Sequence, residues 1–314
     1  MASLRKPIPL WQALLCALSC MAVCGGLWWF VTWGEVEPEP GSGAHERLYG
    51  PLVLPSPAET YAKIPSLWSK DHLAENTYKS LRRVVLGFGL AALVGVPVGV
   101  FCGCFSRINA FFLPLTVFGR NVPMAALIPL TFVFFHGTTE KQKYMFIFLA
   151  CVAFIVSDTA GAIRDIGTQY IDTAFTLGAN HRQVVMKVLF PLALPNIFNS
   201  LRLLFGLAFG YIMLAEQHAS GDEVGGLGYI LNLAEGRGSN RPYIILVILL
   251  IPIVALAIDW VLFQIQRQLF PYRYGGRGYL LRCARAALRG WEDLKRLFFT
   301  TASADAFAAP QTKQ

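Results

Sequence analysis

The sequence has little charge, and the charges that it has interrupt long apolar runs. Charged residues make up 15% of the 314 residues and hydrophobic residues 55%, whereas an average soluble protein is roughly 25% charged. A segment of about 20 apolar residues can cross a hydrocarbon core about 30 Å thick. The composition therefore argues against two soluble domains and predicts an all-α integral membrane protein with about six transmembrane helices.

The sequence also lacks the motifs of several enzyme and binding classes. It has no Gly-x4-Gly-Lys-Ser/Thr loop, so we expect no ATP site within the chain. It has no His-Glu-x2-His or Gly-x-Ser-x-Gly motif, no cluster of metal ligands and, despite a formal charge of +8, no nucleic-acid-binding motif. We therefore expect a protein that is not an enzyme, with no catalytic residue, metal, cofactor or nucleic-acid partner.

The seven cysteines do not form a disulfide framework. Cys16, Cys20 and Cys24 repeat every four residues and so share one face of the first apolar helix. Cys102 and Cys104 flank a glycine inside another apolar run. We interpret these cysteines as small residues in helix-packing faces rather than as metal ligands or disulfide partners.

Polar and apolar segments divide the chain into four parts. The first apolar run is longer than a signal-peptide core, and no small-x-small cleavage site follows it, so we interpret it as a retained span. The four parts are residues 1–33, a cytoplasmic start and first span; 34–76, a polar periplasmic connection with a short surface helix; 77–270, a membrane core; and 271–314, a basic cytoplasmic tail.

Six spans are predicted in all. The third is interrupted, because Pro114, Pro123 and Pro129 exclude one uniform helix. The predicted spans cover about residues 11–33, 83–105, 111–135, 143–163, 196–215 and 243–264.

The distribution of basic residues predicts the orientation. With the N-terminus inside, the inner segments hold 17 of the 27 Lys and Arg residues, and the tail contributes many of them. Because cytoplasmic segments carry an excess of Lys and Arg, both termini are expected in the cytoplasm. The polar segment 164–195 would then face the cytoplasm as well.

The 164–195 segment is predicted to hold two short helices separated at Gly178. Asn180 is a favourable N-cap, and Gln183 can complete a capping box with it. Beyond them, four apolar residues follow helical spacing opposite His181, Arg182 and Lys187. Pro191 and Pro195 are expected to end this helix before the next span. A helix this short needs a surface, which the membrane, the rest of the chain or a partner can supply.

The same segment resembles a known motif. Asp172-Thr-Ala-x3-Gly178, followed by Leu194-Pro195, is similar to the EAA loop of binding-protein-dependent ABC importer permeases. The resemblance extends from about Leu54 to Phe270 and is typical of the nitrate/sulfonate/taurine-type branch. Its other parts are Leu54-Pro-Ser-Pro57, Ser80-Leu-Arg-Arg83, Gly95-x-Pro97-x-Gly99, Arg120-x2-Pro123-x2-Ala126-x2-Pro129, Thr159-x-Gly161, Ala215-Glu216 and Gly225-x2-Gly228.

The resemblance implies a type I ABC importer permease-like core with one extra N-terminal span, in the cell inner membrane. It implies a homodimer of permease copies, two copies of an ATP-binding cassette subunit and a periplasmic substrate-binding protein. In that family the short helix after the glycine inserts into a cleft of the ATPase. The implied ATPase-coupling residues are Asp172, Ala174, Gly178, Ala179, His181, Arg182, Val185, Lys187 and Pro195.

Two departures bear on what the resemblance implies. The loop opens with Asp172 where the family usually has Glu, and the shorter side chain is expected to weaken a role at the helix start. Asp158 stands at a position that is usually uncharged. The branch implies a small anion such as nitrate, bicarbonate or a sulfonate, or else a small heterocycle.

Ionisable groups at membrane depth are candidates for the translocation path, because burying them is unfavourable. Asp158 either tunes the pore or pairs with a basic neighbour, and Asp259 is better explained by pairing or capping. Glu216 has either a structural or a gating position near the outer mouth. Met124 and Phe132 are further path candidates, although helix packing alone also explains such residues.

The tail from Tyr279 to Phe298 is patterned as a basic amphipathic helix, which suits anionic lipid at the cytoplasmic face. Contact with the ATPase and a solvated tail are the alternatives.

For the whole chain, the alternatives to an importer permease are an ion-gradient-driven secondary transporter or channel, and a membrane scaffold. The first alternative requires inverted repeats or paired coupling-ion sites, and no internal repeat is found.

Overall fold

The computed structural model describes residues 9–34, 53–135, 139–218, 225–236 and 241–274, and every regular element in these ranges is a helix. The helices are α1 (Leu10–Val31), α2 (Pro57–Tyr61), α3 (Ile64–Ser69), α4 (Leu73–Cys104), α5 (Ser106–Asn121), α6 (Met124–Phe135), α7 (Glu140–Arg164), α8 (Thr168–Thr176), α9 (His181–Gln183), a π-helical turn (Val184–Leu189), α10 (Phe190–Gln217), α11 (Leu227–Gly236), α12 (Arg241–Leu269) and α13 (Pro271–Tyr274).

The predicted membrane spans are confirmed by helix length and composition. Among the described residues, five helical runs are long and apolar enough to cross a membrane, and α5 with α6 forms a bent pair that counts as a sixth. The most apolar window of the first span has no buried residue within the chain, and Leu18, Leu27 and Trp29 are exposed. Trp28 is half-buried and its Nε1 donates to Pro55 O at 3.1 Å. This degree of exposure is expected of a helix that contacts lipid over most of its surface.

The second span begins ten residues earlier than predicted. Its helix α4 starts at Leu73 rather than at Arg83, inside the polar connection that also contains α2 and α3. A Glu75–Lys79 pair, with 2.9 Å between carboxylate and ammonium, supports its first turns. Because Arg83 is paired with Glu140 and Glu216 inside the protein, its charge can be buried within the span. Charge was therefore a poor marker of the span boundary.

The third span is broken, as its prolines predict. Helices α5 and α6 meet at an angle of 103° across a short break that contains Pro123. Pro114 and Pro129 lie inside the two helices and do not end them.

The prediction that Pro191 and Pro195 end a separate helix is wrong. The chain remains helical from His181 to Gln217, and Pro195 lies inside α10. The π-helical turn Val184–Leu189 immediately precedes this region. A wider π turn shifts the backbone hydrogen-bond pattern, so the proline that follows it at the start of α10 can be accommodated without a break.

The chain divides into two compact units. In the first, Val84 of α4, Phe146 and Ile147 of α7, and Phe209 and Ile212 of α10 are almost fully buried. The second contains the 164–195 segment and its own apolar core. The predicted amphipathic helix of the tail lies outside the described residues.

Candidate functional site

Four charged side chains form a cluster in the first unit, which we call the ion cluster: Arg83, Glu140, Lys143 and Glu216. Arg83 Nε lies 3.0 Å from both carboxylate oxygens of Glu140, and Arg83 Nη1 lies 2.8 Å from Glu216 Oε1. Lys143 Nζ lies 3.2 Å from Glu140 Oε1. Arg83 is 3% exposed, and Lys143 and Glu216 are fully buried.

The cluster contains two cations and two carboxylates, so its formal charge is zero. Isolated buried charges are strongly unfavourable, whereas pairing and multiple hydrogen bonds compensate their desolvation. The planar guanidinium of Arg83 suits this position, because it donates to two carboxylates at once. The cluster thereby connects α4, α7 and α10.

Glu216 also binds the start of α11. Its Oε2 accepts a hydrogen bond from the Gly228 amide at 3.0 Å, and Ser80 Oγ donates to both carboxylate oxygens. The two preceding amides are also satisfied, because Leu227 N donates to Ser80 Oγ and Gly226 N donates to Asn76 Oδ1. These side chains satisfy the amides that a helix start leaves without intrahelical partners.

The glycine motif before α11 follows from this arrangement. Gly226 has φ +112°, and a Cβ there would overlap the carboxylate of Glu216. A side chain at this position would therefore be strained by its backbone conformation and would displace Glu216.

The 164–195 segment lies in the second unit and begins with α8. At the end of α8, Gly178 has φ +81°. The Gly178 amide donates to Phe175 O at 2.9 Å, and the Ala179 amide donates to Ala174 O at 3.0 Å. These two bonds form a Schellman motif, which ends a helix at a glycine in the left-handed conformation. The predicted break at Gly178 is confirmed.

The predicted capping box that begins α9 is also confirmed. Gln183 N donates to Asn180 Oδ1, and Asn180 N donates to Gln183 Oε1, each at 2.9 Å. The Schellman motif at Gly178 and the capping box at Asn180 therefore define the turn on both sides.

The segment buries one face against its own unit. Ala174, Val184 and Leu189 belong to an apolar cluster with Val100 of α4 and Ile163 of α7. Val185 and Val188 are partly buried against the same cluster. Of the three surfaces considered for this amphipathic helix, the rest of the chain covers its valine stripe.

The opposite face of the segment is exposed and mixed in character. Leu177 is 82% exposed and Met186 is 60% exposed. Phe175 is exposed beside His181, with 5.2 Å between ring centroids. This face therefore presents apolar side chains that the rest of the described chain does not cover.

The residues that the sequence suggested for ATPase coupling divide between the two faces. Ala174 and Pro195 are buried, and Ala179 and Val185 are partly buried. Asp172, Gly178, His181, Arg182 and Lys187 are exposed.

The path candidates have different surroundings. Asp158 lies half-buried in α7, and Met124 and Phe132 lie half-buried in α6. Glu216 binds Ser80, Arg83 and Gly228 as described above. Asp259 pairs with Arg202, with 3.0 Å between Oδ1 and Nε, which agrees with the pairing interpretation.

Sequence reasoning missed Arg83, Glu140 and Lys143 as functional candidates, along with Leu177 and Met186. Arg83 was considered only as a span boundary and as part of the Ser80-Leu-Arg-Arg83 resemblance, and Lys143 only as a span boundary. The available signal was the presence of opposite charges at the ends of several spans, since a buried charge requires a partner.

This chain belongs to the family of binding-protein-dependent transport system inner membrane components, whose model matches residues 95–270. It is accordingly a multi-pass inner-membrane permease component of an ABC importer.

The relatives come from the branch that the sequence motifs indicated. The taurine transport system permease protein of Escherichia coli is 28% identical over 84% of this chain and 92% of its own length. The bicarbonate transport system permease protein of Synechococcus elongatus is 33% identical over 72% of this chain and 81% of its own. A putative aliphatic sulfonates transport permease protein of Bacillus subtilis is 30% identical over 57% of this chain and 63% of its own.

A solved structure supports the fold. An inward-facing MetNI methionine ABC transporter chain matches 65% of this chain and 97% of its own length, with a TM-score of 0.56 and 23% identity. The match confirms a type I importer permease core.

Proposed function

We propose that this permease carries a small oxyanion across the inner membrane and couples its movement to an ATPase through the 164–195 segment. The solute class is inferred from relatives named for taurine, bicarbonate and aliphatic sulfonates. Two permease copies would enclose the path, with two ATP-binding cassette subunits on the cytoplasmic side and a binding protein on the periplasmic side. Both termini would be cytoplasmic, as the charge bias favours.

The observation that carries the coupling proposal is the exposed face around Leu177 and Met186. An apolar group that enters a partner's cleft contributes most when rigid surroundings hold it in place. The Schellman motif and the capping box supply that rigidity. Arg182 and Lys187 are exposed on the same segment, and their positive charge would favour an acidic rim on the ATPase.

Closure of the ATPase pair would then move α8 and α9 with the core that they pack against. Val184 and Leu189 share an apolar cluster with residues of α4, α7 and α10, so a displacement of the segment would be passed to those helices. Glu216, Asp158, Met124 and Phe132 remain our candidates for gating or lining the path.

The test is ATP-driven uptake of radiolabelled taurine, bicarbonate and ethanesulfonate by the full importer in liposomes. Leu177→Asp is expected to weaken ATPase docking by about 30-fold, because a central hot-spot residue contributes about 2 kcal/mol. A matched pair refines the test. Leu177→Ala should reduce uptake, whereas Leu203→Ala, at another exposed leucine, should not. Full-rate uptake by Leu177→Asp would refute the docking assignment.

A further inference from the structure

The second unit contains a cavity outside both the ion cluster and the exposed face of the 164–195 segment. It lies between α5 and α7, beside Cys102 of α4, is partly open, and has a cavity volume of about 30 Å³. Its apolar lining consists of Phe112, Leu113, Val156 and Ala160, and its polar lining of Asn109, Thr116, Ser157 and Arg164.

Arg164 is the cation of this cavity. Its Nη2 donates to Asn109 Oδ1 at 3.0 Å, and its Nε donates to Ala160 O at 3.2 Å. Within the part of the chain that the structure describes, no carboxylate forms an ion pair with it. Arg83 and Arg202, by contrast, each pair with an acidic side chain.

Arg164 and Asn109 both retain hydrogen-bond donors for a ligand. A guanidinium has five N–H groups, and two of those of Arg164 are used within the chain. Asn109 accepts through its oxygen, which leaves its amide N–H groups to donate elsewhere. A fork of such donors matches the oxygens of a sulfonate, carboxylate or phosphate.

The size and lining of the cavity restrict the ligand further. Its volume of about 30 Å³ holds two or three water-sized groups, at about 10–15 Å³ each. It therefore admits the head of a small oxyanion and lies far below the range of about 300–1,000 Å³ typical of drug-sized sites. Phe112 and Leu113 can pack against a short carbon chain, while the donors hold the charged end. Arg164 is exposed, so the donors are accessible.

We propose that Arg164 and Asn109 bind the oxyanion end of a small amphipathic anion in this cavity. The proposal rests on the proposed function, because it supplies a transient binding site for the solute class named above. The phosphate of an anionic lipid headgroup presents the same kind of oxyanion. The experiment therefore distinguishes a transported solute from a lipid headgroup as the source of the bound oxyanion.

The experiment uses the full-length permease in phosphatidylcholine nanodiscs, without ATPase or binding protein. Binding of ethanesulfonate is followed by saturation-transfer NMR of its methyl and methylene protons. Ethyl methyl sulfone, which has the same carbon chain without the charge, is the ligand control. We expect ethanesulfonate to bind and the sulfone to bind at least about tenfold more weakly, since a charge-assisted hydrogen bond is lost.

Arg164→Gln is expected to weaken ethanesulfonate binding at least about tenfold. Arg164→Lys, which keeps the charge but not the fork, should fall between it and the wild type. Arg107→Gln is the matched control, because Arg107 lies two residues before Asn109 in α5 but does not line the cavity. Thermal melting of each variant separates lost binding from lost folding.

A second arm tests the lipid source. The protein is transferred to nanodiscs that contain phosphatidylglycerol, and bound lipid is counted by native mass spectrometry. Lipid that is retained by the wild type and Arg107→Gln but lost from Arg164→Gln would assign the oxyanion site to a headgroup. Equal binding of ethanesulfonate and lipid to Arg164→Gln and Arg107→Gln, or no binding to the wild type, would overturn the proposal.

This outcome is independent of ATPase coupling. Leu177→Asp should reduce uptake and leave ethanesulfonate binding unchanged, since Leu177 does not line the cavity. Ethanesulfonate binding that Arg164→Gln leaves unchanged, with uptake reduced by Leu177→Asp, would refute the further inference alone. Full-rate uptake by Leu177→Asp, with ethanesulfonate binding weakened by Arg164→Gln, would refute the docking assignment alone.

Discussion

Arg83 and Glu216 of the ion cluster expose 3% and none of their side chains, whereas Leu177 of the 164–195 segment exposes 82%. The first region buries charge and satisfies it within the chain. The second leaves apolar side chains exposed on a rigid turn. In both regions the side chains have unfavourable surroundings unless a partner contacts them. In the first region these are charges in an apolar interior, and in the second they are apolar groups at an exposed surface. The ion cluster has its partners within the chain, whereas we propose that the exposed face of the 164–195 segment has its partner outside it.

The comparison predicts that the ion cluster tolerates change least. Arg83→Leu would leave Glu140 and Glu216 without their shared guanidinium, so we expect a loss of about 3–5 kcal/mol in unfolding free energy. Arg82→Leu, at the exposed neighbouring residue, should change it by less than about 0.5 kcal/mol. Thermal or denaturant unfolding in detergent measures both.

A double-mutant cycle sharpens this first prediction. Arg83→Leu combined with Glu216→Leu should be less destabilising than the sum of the two single changes, because no unpaired charge remains between them. Strict additivity would show that the two side chains are not energetically coupled.

In the 164–195 segment, Gly178→Pro should impair function more than global stability. Proline holds φ near −65°, whereas Gly178 has φ +81°, and its amide donates to Phe175 O. We expect ATP-driven uptake to fall at least about tenfold, in line with a local distortion of about 3 kcal/mol. Gly178→Asn is the matched control, because asparagine tolerates the left-handed conformation. Full-rate uptake by the proline variant would contradict the coupling role.

The smallest effect is expected at the capping box. Asn180→Ala removes the side-chain acceptor of the Gln183 amide and should destabilise the start of α9 by about 1 kcal/mol. Hydrogen exchange of the amides in α9 reports this change directly. Thr173→Ala, at an exposed site in α8, serves as the reference, and equal exchange in the two variants would argue against a role for the cap.

Local patterns predicted the membrane spans and the turn at Gly178. Apolar runs report directly on burial in lipid, and the capping box joins Asn180 to a residue only three positions away. The broken third span followed from its prolines for the same reason. The continuous helix through Pro191 and Pro195 could not be foreseen, because the preceding π turn leaves no pattern in side-chain type.

The ion cluster could not be predicted because its bonds are distant in sequence. Arg83 meets Glu140 across 57 residues and Glu216 across 133. With one sequence, Glu216 could be identified as unusual, but its partner could not. The cavity at Arg164 was missed for a similar reason, since Asn109 lies 55 residues away on another helix.

These separations matter during synthesis of the chain. At about 5–20 residues per second, the ribosome reaches Glu140 roughly 3–11 s after Arg83, and Glu216 roughly 7–27 s after it. During that interval Arg83 lacks one or both of its carboxylate partners, so we expect its side chain to extend toward the lipid headgroups or to stay with the insertion machinery. We therefore expect helix α4 to reach its final packing only after Glu216 of α10 has been synthesised.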